Sequence, residues 1–554
     1  MENQSDTTQH NVAPAVTRPK PGTLHFKIPG KPKADIPATP DTTPQKAHSS
    51  PRVGDIPKNQ DQLPVAQGKD SAAPSRPKTA TAEVLPYDLH DQLKLVRNPA
   101  GKAYAVVQHA GNSVALPIGS KRLNAIITTC AAQKGKSLQP RQIDEVNQQL
   151  EAHAEQYGKP QDVWYRVAKS EGGIELDLGD ENHTRVRITA GRVEIPFVGS
   201  DVVFQRTPNI QPMVMPAAEG DVDLLRKYLN VGAPEQLMLI AWITYTLAHP
   251  KVPSSKYVFL VLNGNEGSGK SSLSRLLLRL IDPSAFGVQT FPRNEKDLAI
   301  AGQSAHVLAF DNLRSFKSEM ADHLCIASTG GTITSRQLYT DDAQQAISLH
   351  VALILNGIHS FIGQPDLAQR CLPISLRPID PSKRKTEEAL MAELEADMPK
   401  IMRGLFDLIA KVFEQLPHAE ATNPERMIEF SQWLAAMERV DGVPAGINPY
   451  QRLYSEILQQ GQLDTLMDNP LAAAIIEFAE ALEENAWSGT PADFLARLNI
   501  CTSHGSGFSR DWPQNAIALS KRIGPLQAGL LSQGIRIELS RGKERVVTLT
   551  KEDS

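Results

Sequence analysis

The feature that most constrains this chain is the run Gly264-Asn-Glu-Gly-Ser-Gly-Lys-Ser271. It lies between an apolar, β-prone stretch (residues 257–262) and a leucine-rich stretch at helical spacing (271–281) that stops at Asp282-Pro283. Strand, glycine-rich bend and helix in this order match the phosphate-loop pattern G-x-x-x-x-G-K-[ST] without a departure. Glycines let the backbone curl so that successive amides face phosphate oxygens, aided by the positive end of the following helix. On this reading Gly264, Asn265, Glu266, Gly267, Ser268, Gly269, Lys270, Ser271 and Ser272 cradle ATP. Lys270 reaches the β- and γ-phosphates, and the Ser271 hydroxyl ligates Mg²⁺. The bland alternative is an ordinary Gly/Ser turn, and the flanking strand and helix weigh against it.

A nucleotide-hydrolysing core also needs a carboxylate at the end of a neighbouring strand to hold Mg²⁺. Ala305-His-Val-Leu-Ala-Phe-Asp311-Asn312 supplies Asp311 about 40 residues after Ser271. A second buried strand, His350-Val-Ala-Leu-Ile-Leu-Asn356, ends in an asparagine suited to orient an attacking water; Asn356-Gly357 is also turn chemistry. Arg370 follows, placed to project into a neighbouring subunit's site, with Arg377 as a second candidate and a structural ion pair as the alternative. Strand-like runs over 332–338 and 346–351 predict a hairpin inserted before the Asn356 strand.

Bulk composition narrows the partners. The 554 residues suggest three or four domains, and a net charge of −4 excludes a global basic field, so nucleic-acid contacts must be local. Four isolated cysteines form no CxxC pair, which argues against a disulfide framework or zinc knuckle. No secretory signal opens the chain, and the most apolar helix-like run, 237–247, is too short to cross a bilayer. A reduced, cytoplasmic protein with no membrane contact is expected.

Residues 1–85 hold 13 of the 40 prolines and little apolar periodicity, so they read as a disordered tail. An α/β module is expected over 86–215, with strands near 103–108, 162–168, 174–178 and 185–189 and a polar helix over 140–157. Within it, Glu175, Asp177 and Asp180 are either Mg²⁺-holding carboxylates of a primase-like polymerase or a strand ending in a Gly-Asp turn capped by Asp180. The nucleotide core with its preceding helices spans 216–424, and a helical connector spans 425–468. Residues 469–554 follow the order helix, helix, helix, hairpin, which is the order of a winged helix. Its third helix carries Lys521 and Arg522, and its hairpin carries Arg536, Arg541, Lys543 and Arg545, a set suited to duplex DNA.

The ordered set of Gly264–Ser271, Asp311-Asn312, inserted hairpin, Asn356 and Arg370 resembles the superfamily 3 helicases. It is especially similar to ATPases of that kind carried by bacterial prophages, plasmids and genomic islands, in the segments STGGTITSRQLYTDD, ILNGI and PDLAQRCLPISL. The resemblance implies an AAA+-type α/β core that assembles as a homo-oligomeric ring, usually a hexamer, with ATP sites between subunits. It also implies that Arg336 and Tyr339 of the hairpin touch single-stranded DNA in the pore. Two departures stand out. Asn312 replaces a usual second carboxylate, leaving Asp311 itself or Glu319 as base, and Asp341 and Asp342 near the hairpin tip repel phosphate. The expected function is an ATP-dependent DNA helicase or origin-melting ATPase of a mobile element. A nucleotide-switched assembly ATPase in phage interference or defence and a primase–helicase are the rivals.

Overall fold

The computed structural model describes residues 93–336, 344–357, 361–501, 512–541 and 545–552. The tail expected over 1–85 and the expected contacts Tyr339, Asp341, Asp342 and Lys543 lie outside the described residues.

Two sheets precede the core. A six-stranded sheet, in the order β4-β1-β2-β3-β10-β5, is built from β1 (Lys94–Arg97), β2 (Ala103–His109), β3 (Asn112–Pro117), β4 (Lys159–Pro160), β5 (Val163–Trp164) and β10 (Val203–Gln205). Helices α1 (Lys121–Gln133) and α2 (Pro140–Tyr157) bury Leu123, Ile127, Val146 and Leu150 in a small core with Ala105, Val114 and Leu116 of that sheet. A four-stranded antiparallel sheet contains β6 (Val167–Ser170), β7 (Gly173–Asp177), β8 (Arg185–Thr189) and β9 (Arg192–Glu194). Its apolar face, with Val167, Ile174, Leu176, Val186 and Ile188, joins the main core instead of the smaller one. Val96, Tyr104, Val106, Ala115 and Val203 form a further small cluster, so the region expected as one module divides its packing among three.

The main core surrounds a five-stranded, all-parallel sheet in the order β12-β13-β16-β11-β17. Its strands are β11 (Phe259–Asn263), β12 (Val288–Thr290), β13 (Val307–Leu313), β16 (Ala352–Gly357) and β17 (Cys371–Ser375). Near-continuous apolar runs such as Phe-Leu-Val-Leu in β11 are what a parallel sheet covered on both faces requires. Helix α3 (Ala233–Ala248) is apolar all round and buried from Met238 onward, with Trp242 Nε1 donating to the Val258 carbonyl at 2.7 Å. Helix α4 (Lys270–Ile281) follows β11; α5 (Glu295–Gln303), α6 (Ser318–Thr329) and α7 (Pro365–Ala368) complete the crossovers. The inserted hairpin is present as β14 (Gly331–Arg336) and β15 (Gln344–Leu349), paired from Gly331↔Leu349 to Arg336↔Gln344.

Three further helices enclose the core. Helix α8 (Glu387–Gln415) is capped by the Thr386 hydroxyl, which accepts from the Ala389 amide. Helices α9 (Ile428–Val440) and α10 (Pro449–Met467) place Trp433, Phe430, Tyr454 and Leu458 in the same hydrophobic core, so the segment expected as a connector packs with the sheet. The C-terminal part has its own core of residues from Leu466 to Leu549. It runs α11 (Pro470–Glu480), β18 (Ala486–Gly489), α12 (Pro491–Cys501), α13 (Ala516–Ile523), α14 (Gln527–Ser532), β19 (Ile535–Arg541) and β20 (Arg545–Lys551). Two features differ from the expected order. The expected third helix, the one that carries Lys521 and Arg522, is broken at Gly524-Pro525, where proline interrupts the ladder. The short strand β18 adds a third member to the hairpin by pairing with β20.

Candidate functional site

The site lies at the carboxyl ends of β11, β13 and β16, where the loop 264–269 joins β11 to α4. Gly267 (φ 76°) and Gly269 (φ 88°) hold left-handed backbone, which costs an L-residue roughly 1–2 kcal/mol. This is the local reason the sequence puts glycine there. The turn leaves Lys270 at the first helical position, with Nζ donating to the carbonyls of Gly264 at 2.7 Å and Asn265 at 3.0 Å. Burial holds its ammonium below the ordinary lysine range, opposed by the charges of Asp311 and Glu266.

One turn of α4 connects to two strands through side chains. Ser271 Oγ donates to Asp311 Oδ2 at 2.6 Å. The Asn312 amide donates to Asp311 Oδ1 at 2.6 Å and to Asn356 Oδ1 at 3.1 Å. Asn356, fully buried, returns to the helix by donating from Nδ2 to Ser274 Oγ at 3.1 Å. Asn312 itself takes a left-handed φ of 59°, a conformation asparagine tolerates better than most residues. The structure therefore brings together Lys270, Ser271, Asp311, Asn312 and Asn356. Sequence reasoning missed Ser274, although its spacing three residues from Ser271 puts both on one helix face. It also missed Asn230, whose Nδ2 donates to the carbonyls of Ser268 at 3.0 Å and Arg377 at 2.6 Å. No sequence pattern marks Asn230.

The donor set fits magnesium and a nucleotide. Ser271 and Asp311 offer hard oxygens at adjacent positions, and Mg²⁺ commonly takes one or two such ligands and completes its shell with phosphate and water. No group of three His, Cys, Asp or Glu suited to hold a metal by itself occurs among the described residues. Ser268 Oγ is buried in the loop with no hydrogen-bond partner, an orphaned donor beside the amide cradle.

Other candidates fall elsewhere. Arg370 is buried before β17. Its Nη1 meets Asp366 Oδ2 at 2.7 Å and the Asp366 carbonyl at 2.6 Å, and Asp366 also holds Arg426 at 2.7 Å. An arginine expected to reach a neighbouring subunit is thus tied inside its own chain. Arg377 and Glu319 are exposed. Glu175 and Asp177 are buried in ion pairs instead of facing a cleft. Arg185 lies 3.7 Å from Glu175, and Arg206 Nε donates to Asp177 Oδ2 at 2.8 Å. Burial lifts the Glu175 carboxyl, whereas for Asp177 the Arg206 contacts outweigh burial and hold it below the usual carboxylate range. Asp180 accepts from the Thr184 amide at 2.7 Å and hydroxyl at 2.6 Å, which is the capped-turn alternative. In the C-terminal part Lys521 and Arg545 are exposed and Arg522 is half-buried. Arg536 is paired with Glu552. Arg336 and Arg541 are described only as strand positions at the ends of their hairpins.

Residues 222–457 match the family model of the actinomycete integrative conjugative element replication protein, and residues 471–554 match that of the AICE RepA C-terminal domain. The chain is therefore similar to replication proteins of mobile elements over its core and C-terminal part. No curated protein matches it. Among solved structures it is similar to SCCmec type IV Cch, titled an active helicase (11% identity, 83% of this chain and 93% of that one, TM-score 0.44). It is also similar to the apo C-terminal region of NrS-1 (11%, 85% and 99%, 0.37) and to an inhibitor-bound JCV helicase (15%, 42% and 67%, 0.20). Among the described residues, no helix is long and apolar enough to cross a membrane.

Proposed function

We propose that this chain is a replication-associated, ATP-dependent DNA helicase or origin-melting ATPase of a mobile genetic element. The circuit from Ser271 through Asp311 and Asn312 to Asn356 carries this reading, because it sets a metal-holding pair and a water-orienting amide beside one glycine-rich loop. The replication-protein match over the same residues supplies the biological setting.

Bound MgATP supplies the phosphoryl group whose transfer to water releases the free energy. Lys270, whose ammonium rests on the Gly264 and Asn265 carbonyls, would hold the β- and γ-phosphate oxygens. Ser271 and Asp311 hold the metal. Asn356, fixed by Ser274 and the Asn312 amide, orients the attacking water. Copies assemble as a ring, a hexamer by the family resemblance, with sites at subunit boundaries, and hairpin residues Arg336 and Tyr339 track single-stranded DNA. Residues 469–554 act as a winged helix, a reading supported by α11, α12 and α13 standing with the three-stranded sheet β18-β20-β19, and Lys521, Arg522, Arg541, Lys543 and Arg545 grip duplex phosphates. A cytoplasmic location follows from that substrate.

A strand-displacement assay with the purified full chain, run beside an ATPase assay with and without single-stranded DNA, tests this reading. Unwinding and DNA-stimulated hydrolysis that vanish in Lys270→Ala support it. Their absence in the wild type sinks it. Asn312, a neutral residue beside Asp311, favours one alternative: an assembly switch in which hydrolysis is a slow timer. That reading predicts a nucleotide-dependent change of oligomeric size with no unwinding.

A further inference from the structure

The segment that follows β17 turns back across the glycine-rich loop. An ideal Cβ at Gly264 would lie 3.2 Å from the Leu376 carbonyl oxygen, and one at Gly269 would lie 3.2 Å from Ile379 Cδ1. One at Gly267 would lie 3.5 Å from Arg384 Nη2. Residues 376–384 therefore form a strap over the loop; side chains at Gly264 and Gly269 would crowd it, and one at Gly267 would just touch Arg384. The strap is tied down at its start. The Leu376 amide donates to the Asn263 carbonyl at 2.8 Å, and Asn230 ties Arg377 to Ser268. Within it, Asp380 caps the turn at Pro381–Lys383 by accepting from the Ser382 amide at 2.9 Å, and just past it Thr386 caps α8.

The charges around the strap are mostly neutralised. Lys385 meets Glu393 at 2.6 Å, Arg275 meets Glu387 at 2.9 Å and Arg279 meets Glu395 at 2.6 Å. Arg384 is exposed and has no ion pair among the described residues, although its guanidinium is the group aimed at the middle of the loop. An uncompensated planar fork beside inward-facing amides is suited to bind phosphate oxygens in bidentate fashion.

We propose that Arg384 is a second phosphate ligand, supplied by the same chain that carries Lys270 and held over the loop by the 376–384 strap. The proposal rests on the nucleotide reading of that loop and adds a residue to it. Lys270 approaches from the helix side, and Arg384 closes the phosphate chain from the strap side.

Calorimetric titration of the full chain with MgADP and with MgATPγS tests it, using wild type, Arg384→Ala, Arg384→Lys and Lys270→Ala. Arg384→Ala is expected to weaken both nucleotides on the order of tenfold to a hundredfold, the loss of one charge-assisted contact. Arg384→Lys should recover part of that loss, since it restores charge without the fork. Nucleotide-free melting should be unchanged in both, because Arg384 has no partner to lose. Wild-type affinity in Arg384→Ala alongside lost binding in Lys270→Ala overturns this proposal alone. Weakened hydrolysis with unchanged binding also overturns it. If wild type binds neither nucleotide, or Lys270→Ala binds as wild type does, the nucleotide reading itself fails and takes the strap proposal with it.

Discussion

Ser271 and Asp311, 40 residues apart in the chain, meet in a 2.6 Å hydrogen bond from the Ser271 hydroxyl to Asp311 Oδ2. The bond spans the first turn of α4 and the end of β13, two elements that share no strand pairing. Both are hard oxygen donors beside the glycine-rich loop, so this pair would hold a magnesium ion, Ser271 through its hydroxyl oxygen and Asp311 through its carboxylate.

The first prediction follows from that geometry. Asp311→Asn keeps the shape and the hydrogen bond but removes the charge that holds the metal. ATP hydrolysis should fall on the order of a hundredfold or more, while nucleotide affinity measured without Mg²⁺ stays within a few-fold of wild type. Phosphate release read against binding checks the split; equal losses in both would contradict the metal-holding role.

The second prediction concerns Asn356. Its two bonds join Ser274 on α4 to the Asn312 amide on β13, and it is fully buried. Asn356→Ala removes the donor to Ser274 Oγ, leaves the Asn312 amide with Asp311 alone and opens a buried gap, and should cost about 1–3 kcal/mol of stability as well as hydrolysis. Asn356→Asp keeps the acceptor for the Asn312 amide but adds a charge near Asp311, and should lose hydrolysis with a further stability cost. Denaturant unfolding and ATPase rate on the same samples distinguish these effects.

Much of this arrangement is legible in the sequence because it depends on short-range pattern. Gly264 to Ser271 is readable from spacing alone, and Asp311 and Asn356 are readable as polar residues ending apolar runs. What escapes is set by tertiary packing. Asn230 and Arg384 reach the loop only because the chain folds back from distant positions, and nothing local announces it. The alternation in β7 and β8 marks strands correctly but does not say which core they join. Arg370 shows a subtler limit. Its position after Asn356 suits a neighbour-directed role, yet Asp366 one helical turn earlier captures it first.

The third prediction concerns that pairing. Arg370→Ala should lower thermal stability at a cost of about 1–3 kcal/mol, because a buried charge-assisted contact is lost and Asp366 keeps only Arg426. Asp366→Ala should destabilise more, since it strands the buried Arg370 guanidinium. Melting curves decide the matter. Unchanged stability with abolished hydrolysis in Arg370→Ala would show that the arginine leaves Asp366 to work across a subunit boundary.

The last prediction concerns pH. His306 and His350 are buried and His249 is half-buried, and desolvation depresses each to about 4. His306 immediately precedes β13 and His350 lies between β15 and β16; both flank the Tyr257 ring and share their surroundings with the half-buried Lys251, itself pushed down to about 8 by desolvation. In the unfolded chain a histidine titrates near 6.5. Between that value and about 4 the unfolded state binds protons that the folded state refuses, so the histidines lower stability as pH drops through this window and leave it unaffected above. Each histidine contributes about 1.4 kcal/mol per pH unit at the steepest part. The depressed carboxylate Asp177 acts only below its ordinary value of 3.8, so the two windows separate. The melting temperature should fall only slightly from pH 8 to 7, where Lys251 completes its protonation, and steeply from pH 6.5 to 5. His306→Gln, whose amide can still donate to the Thr246 carbonyl now bonded at 2.8 Å, should remove about one proton from the slope. A melting temperature as high at pH 5 as at pH 7.5, or an unchanged slope in His306→Gln, would contradict a neutral histidine cluster beneath the sheet.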